Sequence, residues 1–129
     1  MPAFSALSAE RLATAHPDLQ RLFNDVIQSQ DCSILVGYRG EADQNLACAA
    51  GKSNTPWPTS KHNCQPSHAV DAAPYPVDWA DINRFREFGS FVKGRAAELG
   101  IAIRWGGDFT TLKDYDHFEL AGGGDGTSA

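Results

Sequence analysis

One stretch limits the fold of this chain more than any other. From Asp81 onward, Ile82, Phe85, Phe88, Phe91, Val92, Ala96 and Leu99 recur at spacings of three and four until Gly100 ends the run. That period predicts an amphipathic helix whose aromatic stripe packs into a core. A chain of 129 residues builds one domain around one core, so the other apolar segments must cover the stripe. Those segments are short. Cys32 to Tyr38, Ala69 to Ala73, Ile101 to Trp105 and His117 to Leu120 read as strands. They alternate with helices too irregularly for a doubly wound sheet. The expected fold class is therefore α+β, a small antiparallel sheet flanked by helices.

The rest of the chain fits round that frame. Ser8 reads as the cap of a first helix, and Leu12, Ala15, Leu19, Leu22, Phe23, Val26 and Ile27 keep helical spacing. His16-Pro17 divides this stretch, with Pro17 opening a second helix and His16 a candidate cap. Glu41 to Ala50 reads as an alanine-rich helix with Leu46 inward and Gly51 at its C-terminal end. Gly51 to Ser60 is loop by composition. Its Gly51-Lys52-Ser53 resembles the end of a phosphate-binding loop, but that pattern requires glycine where Leu46 stands. Three tryptophans, Trp57, Trp79 and Trp105, read as packing residues, with Trp105 also a candidate floor for a groove. The glycine-rich stretch 121–129 is expected to be disordered, which leaves 1–120 as a single domain.

Charge and cysteine content exclude several functions. A net charge of −5 argues against nucleic-acid binding through bulk charge. No window approaches the roughly 18 apolar residues of a membrane span, and Met1 to Leu7 lacks the basic start of a secretion signal. Synthesis in a cytoplasm, without membrane insertion, is the expectation. Cys32, Cys48 and Cys64 cannot all pair within one chain and form no C-x-x-C, so reduced thiols are expected.

Chemistry concentrates in two clusters. Ser60 to Asp71 contains His62, His68 and Asp71, and Asp114 to Leu120 contains Asp114, Asp116, His117 and Glu119. Two imidazoles and one carboxylate can hold a catalytic zinc while leaving one position for water. A further carboxylate, near the metal but not bound to it, then serves as general base. His62 and His68 compete for one ligand position. Asp114 can reach the site if the chain turns before His117, whereas Asp116 points away if that segment is extended. In a strand from His117, Phe118 and Leu120 share one face and His117 and Glu119 the other.

These residues carry a resemblance. Ser60-Lys61-His62-Asn63, Pro66-Ser67 and Ala69-Val70-Asp71 resemble the zinc signature of the VanY/D-Ala-D-Ala carboxypeptidase-like metallopeptidases (peptidase family M15). More narrowly, they resemble the phage endolysins of that family, the L-alanyl-D-glutamate peptidases. Gly37-Tyr38-Arg39 with Gln44, Gly51-Lys52-Ser53 leading to Trp57-Pro58, and Trp105-Gly106-Gly107-Asp108 agree in order, as does Asp114-x-x-His117-Phe118-Glu119-Leu120. The wider family more often has a shorter histidine–aspartate spacing than the nine residues here, and a proline where Asp116 stands.

The resemblance implies a hedgehog/D,D-peptidase-like fold and Zn²⁺ on His62, Asp71 and His117. It implies Asp114 as the catalytic carboxylate, Arg39 at the developing oxyanion, and Ser60 as a supporting or substrate-binding hydroxyl. It favours His62 over His68. The substrate implied is bacterial peptidoglycan, cut at the L-Ala–D-Glu bond of the stem peptide by a monomer. The protein would be made in the host cytoplasm and reach the wall after the membrane is permeabilised. Two alternatives remain open from sequence: a D,D-carboxypeptidase or dipeptidase of the same family, and a non-catalytic, zinc-stabilised wall-binding module.

Overall fold

A computed structural model describes residues 2–122. In chain order the elements are α1 (Ala6–Leu12), α2 (Pro17–Val26), β1 (Cys32–Val36), α3 (Glu41–Ala49), a 3₁₀ turn (Lys61–Asn63), β2 (Ala69–Pro74), α4 (Ile82–Leu99), β3 (Ile103–Trp105), a second 3₁₀ turn (Gly106–Asp108) and β4 (His117–Leu120). The strands form an antiparallel sheet in the order β1-β2-β4-β3. The architecture is α+β, as expected. The part of the stretch expected to be disordered that follows Gly122 lies outside the described residues.

Alternation along the strands separates core from site. Val70, Ala72 and Phe118 face the helices, and Phe118 meets Phe23 of α2 and Phe88 of α4 edge to face at 5.5 and 5.9 Å. Leu19, Leu22 and Val26 of α2 and Val92 and Ala96 of α4 complete that layer. The opposite face of the same strands carries Asp71, His117 and Glu119. The register of β2 with β4 puts Asp71 directly opposite His117. Residues 46 apart in sequence thus become neighbours through backbone pairing.

The helix ends follow local chemistry. Asp81 caps α4 by accepting from the Arg84 N–H, and Gly100 ends it at φ +72°, where a side chain would be strained. His16 caps α2 through Nδ1, which accepts from Asp18 N–H. Two expectations need correction. The cap of α1 is Ser5, because the Ser8 hydroxyl is buried and accepts the Ile34 N–H of β1 instead. In α3, Leu46 is 68% exposed and Gln44 is the buried residue. That helix covers a polar loop, and Gln44 donates to Thr55 O and Ser53 Oγ. Cys32, Cys48 and Cys64 are free thiols. No helix among the described residues is long and apolar enough to cross a membrane.

Candidate metal centre and catalytic cleft

His62 stands on the Lys61–Asn63 turn, and that turn is held by a reciprocal cap. Ser60 Oγ accepts from the His62 N–H, and Asn63 Oδ1 accepts from the Ser60 N–H. Arg39 N–H donates to His62 O, and Asn63 Nδ2 donates to Arg39 O, so the turn is bonded to the segment following β1. The sheet supplies the other two groups. His62 Nε2 lies 3.0 Å from Asp71 Oδ1, and His117 Nδ1 lies 3.1 Å from the same oxygen. All three side chains are buried, and the imidazole rings meet edge to face.

These separations fit a metal. Donors held about 2.0–2.1 Å from a tetrahedral zinc lie about 3.3 Å from one another, close to the two distances observed. The outer nitrogens are also partnered, His62 Nδ1 at 2.8 Å from Gly37 O and His117 Nε2 at 2.8 Å from Glu119 Oε1. A ring whose outer nitrogen donates turns the lone pair of its inner nitrogen toward the metal position. His68 is elsewhere. Its ring packs against His16, and its backbone bonds Lys61 O and the Leu120 N–H. Cys64 belongs to no ligand cluster among the described residues.

Electrostatics mark the same point. Burial alone would raise the Asp71 carboxyl, but the imidazoles of His62 and His117 hold it well below the usual carboxylate range. Burial would likewise lower His117, yet its hydrogen bonds to Asp71 and Glu119 lift it to about 9. The second oxygen of Asp71 faces Arg39, with Nη2 3.6 Å from Oδ2. Arg39 Nη1 in turn donates to Gln44 Oε1 at 3.1 Å.

Asp114 and Asp116 approach Asp71 from a loop, and the three carboxylates have oxygens within 4.8 Å of one another. The Asp116 side chain lies near Asp71, because the segment turns at residues 115–116 before β4 begins rather than running extended. Asp114 O accepts from the His117 N–H and Asp116 O from the Ala72 N–H. Burial, then the negative charge of Asp71 and a hydrogen bond with Asp114, push the Asp116 carboxyl up to about 10. Gly106 fixes the other end of the loop. The Asp114 N–H donates to Gly106 O, and a Cβ on Gly106 would fall 2.0 Å from Asp114 O.

Asp71, Asp114, Asp116 and Arg39 open on a cleft of about 730 Å³, whose walls include Lys52, Lys113 and Trp79. Trp79 is largely exposed and stacks on Phe85. Trp105, the candidate groove floor, is instead buried with its indole N–H donating to Tyr115 O. Ser60 is also buried, its hydroxyl engaged by His62, and it does not line the cleft. The sequence reading assigned no part to Lys61, although it is 2% exposed and 3.3 Å from the fully buried Glu119. Only the shared strand face of His117 and Glu119 hinted at that pair.

This small α+β domain gathers two histidines and an aspartate that could hold a metal ion, beside a cleft lined by both basic and acidic side chains. The model of the phage L-alanyl-D-glutamate peptidase family matches residues 2–127, and the chain belongs to that family. It is 32% identical over 126 residues to the L-alanyl-D-glutamate peptidase of Escherichia phage T5, covering 93% of this chain and 90% of that protein. It also resembles the crystal structure of the Serratia marcescens L-Ala D-Glu endopeptidase ChiX. That likeness has a TM-score of 0.77 and 34% identity, covering 92% of this chain and 90% of the other.

Proposed function

We propose that this protein is a zinc-dependent endopeptidase that hydrolyses the L-Ala–D-Glu amide bond of the peptidoglycan stem peptide. The observation that carries the reading is the convergence of His62 Nε2 and His117 Nδ1 on one oxygen of Asp71, beside Asp114 and Arg39. Family membership and the two named relatives support the choice of bond. Synthesis in the host cytoplasm and action on the wall after the membrane opens belong to the same proposal.

When bound, zinc supplies Lewis-acid polarisation of the scissile carbonyl and a more acidic water. His62, Asp71 and His117 would hold it. Asp114 takes the proton from the attacking water and passes it to the leaving amine. Burial and the neighbouring charge of Asp71 raise the Asp116 carboxyl, which stands beside Asp114 in the same acid cluster. Arg39, positioned by Gln44, presents its guanidinium to the oxyanion that develops on the substrate carbonyl.

Digestion of purified peptidoglycan, followed by mass spectrometry of the soluble products, tests this reading. Peptides beginning with D-Glu should be released by the zinc-loaded protein and not by Asp114→Ala. Loss of terminal D-Ala would assign a carboxypeptidase instead. Zinc retention with no cleavage would assign a wall-binding module.

A further inference from the structure

The buried Lys61–Glu119 pair is not used by the mechanism above, and it is expensive. Glu119 is fully buried and Lys61 nearly so, with Lys61 Nζ 3.3 Å from Glu119 Oε2 and also donating to Leu120 O at 2.6 Å. Two buried charges lose their hydration, and an apolar pair of similar volume generally serves a fold as well or better. Their placement suggests another role. Lys61 immediately precedes His62 on its turn, and Glu119 Oε1 lies 2.8 Å from His117 Nε2. One ion pair thus ties the turn bearing one histidine to the strand bearing the other.

We infer that Glu119, clamped by Lys61, is a positioning residue that fixes His117 as the Nε2–H tautomer and presents Nδ1 to the metal. The inference rests on the zinc reading above. Arg104 Nη1, 3.5 Å from Glu119 Oε2, adds a partner at the exposed edge of the pair. The two histidines are then supported unequally, His62 by the neutral carbonyl of Gly37 and His117 by a carboxylate. A carboxylate acceptor makes the imidazole the stronger donor to a metal.

The test reads zinc affinity and ring chemistry, not turnover. Zinc dissociation constants come from competition with a chromophoric chelator, and ring ¹⁵N shifts from the zinc-loaded wild-type protein. His117 should bind through Nδ1 with Nε2 protonated. The double variant Lys61→Met/Glu119→Gln removes both buried charges together, so neither is left unpaired. It should keep the wild-type circular dichroism spectrum and bind zinc about 10–100-fold more weakly. Wild-type affinity in the folded double variant, or coordination through Nε2, overturns the inference. If the double variant does not fold, the wild-type ring assignment decides alone. A wild-type protein that takes up no zinc refutes the zinc reading itself, and the inference with it, in the first titration.

Discussion

The strand-borne candidate ligands Asp71 and His117 and the loop-borne acids Asp114 and Asp116 lie at one site but are held by different means. Asp71 and His117 are set opposite each other by the β2–β4 register, and the reverse face of those strands is packed under Phe23, Phe88 and Phe118. Displacing either ligand would require slipping the sheet, which would turn core residues to the site face. Asp114 and Asp116 depend instead on a loop pinned at Gly106, Tyr115 and His117 by backbone and indole hydrogen bonds. A single substitution can therefore move the acids and leave the ligands in place. Binding metal and turning over substrate should be separable in this molecule.

The largest effect expected is at the ligand set. His62→Ala should abolish zinc retention and activity together, a loss beyond the about 10–100-fold typical of a supporting hydrogen bond. His68→Ala, whose ring packs on His16, should retain both. Metal analysis after dialysis distinguishes them, and equal retention in the two variants would break the comparison at its strand side. Next, Asp114→Asn should lower kcat by about 10²–10⁴-fold with zinc content unchanged. Zinc loss in that variant would make Asp114 a ligand and merge the two regions.

Gly106→Ala sharpens the difference further. The new Cβ would meet Asp114 O at 2.0 Å, so the loop must shift. A displacement on the order of 1 Å can reduce the rate about 10²-fold, and zinc affinity should fall less than the rate, because the β2–β4 register still holds His117 opposite Asp71 although its N–H bonds the displaced Asp114 O. The smallest effect concerns Cys32 on β1, away from both regions. Burial, with the neighbouring charge of Asp31, pushes its thiol up to about 12. It therefore remains protonated across neutral pH, and alkylation at pH 8 should leave Cys32 unmodified in the folded protein, as peptide mapping would show.

Strand periodicity and helical periodicity made the frame legible in the sequence. The aromatic stripe from Phe85 to Val92 predicted α4, and the alternation at His117 to Leu120 put Phe118 and His117 on opposite faces of the strand. Spacing alone could not choose between His62 and His68, since both precede Asp71 by distances that can chelate. The choice is made by the turn, which points His62 at Asp71, while the His68 ring packs on His16. The direction of Asp116 depends on whether the segment before β4 is extended or turned, and no local pattern decides that, because the turn is fixed by distant Gly106 and Ala72. Leu46 was misjudged for a related reason. Helical spacing marks a face but not what covers it, and here the covering loop is polar and takes Gln44.

Metal removal and return tests the central claim most directly. Protein stripped by chelation and assayed on purified peptidoglycan should release no D-Glu-headed peptides, and one equivalent of zinc per chain should restore their release. Undiminished cleavage by protein shown by elemental analysis to be free of metal would contradict the account.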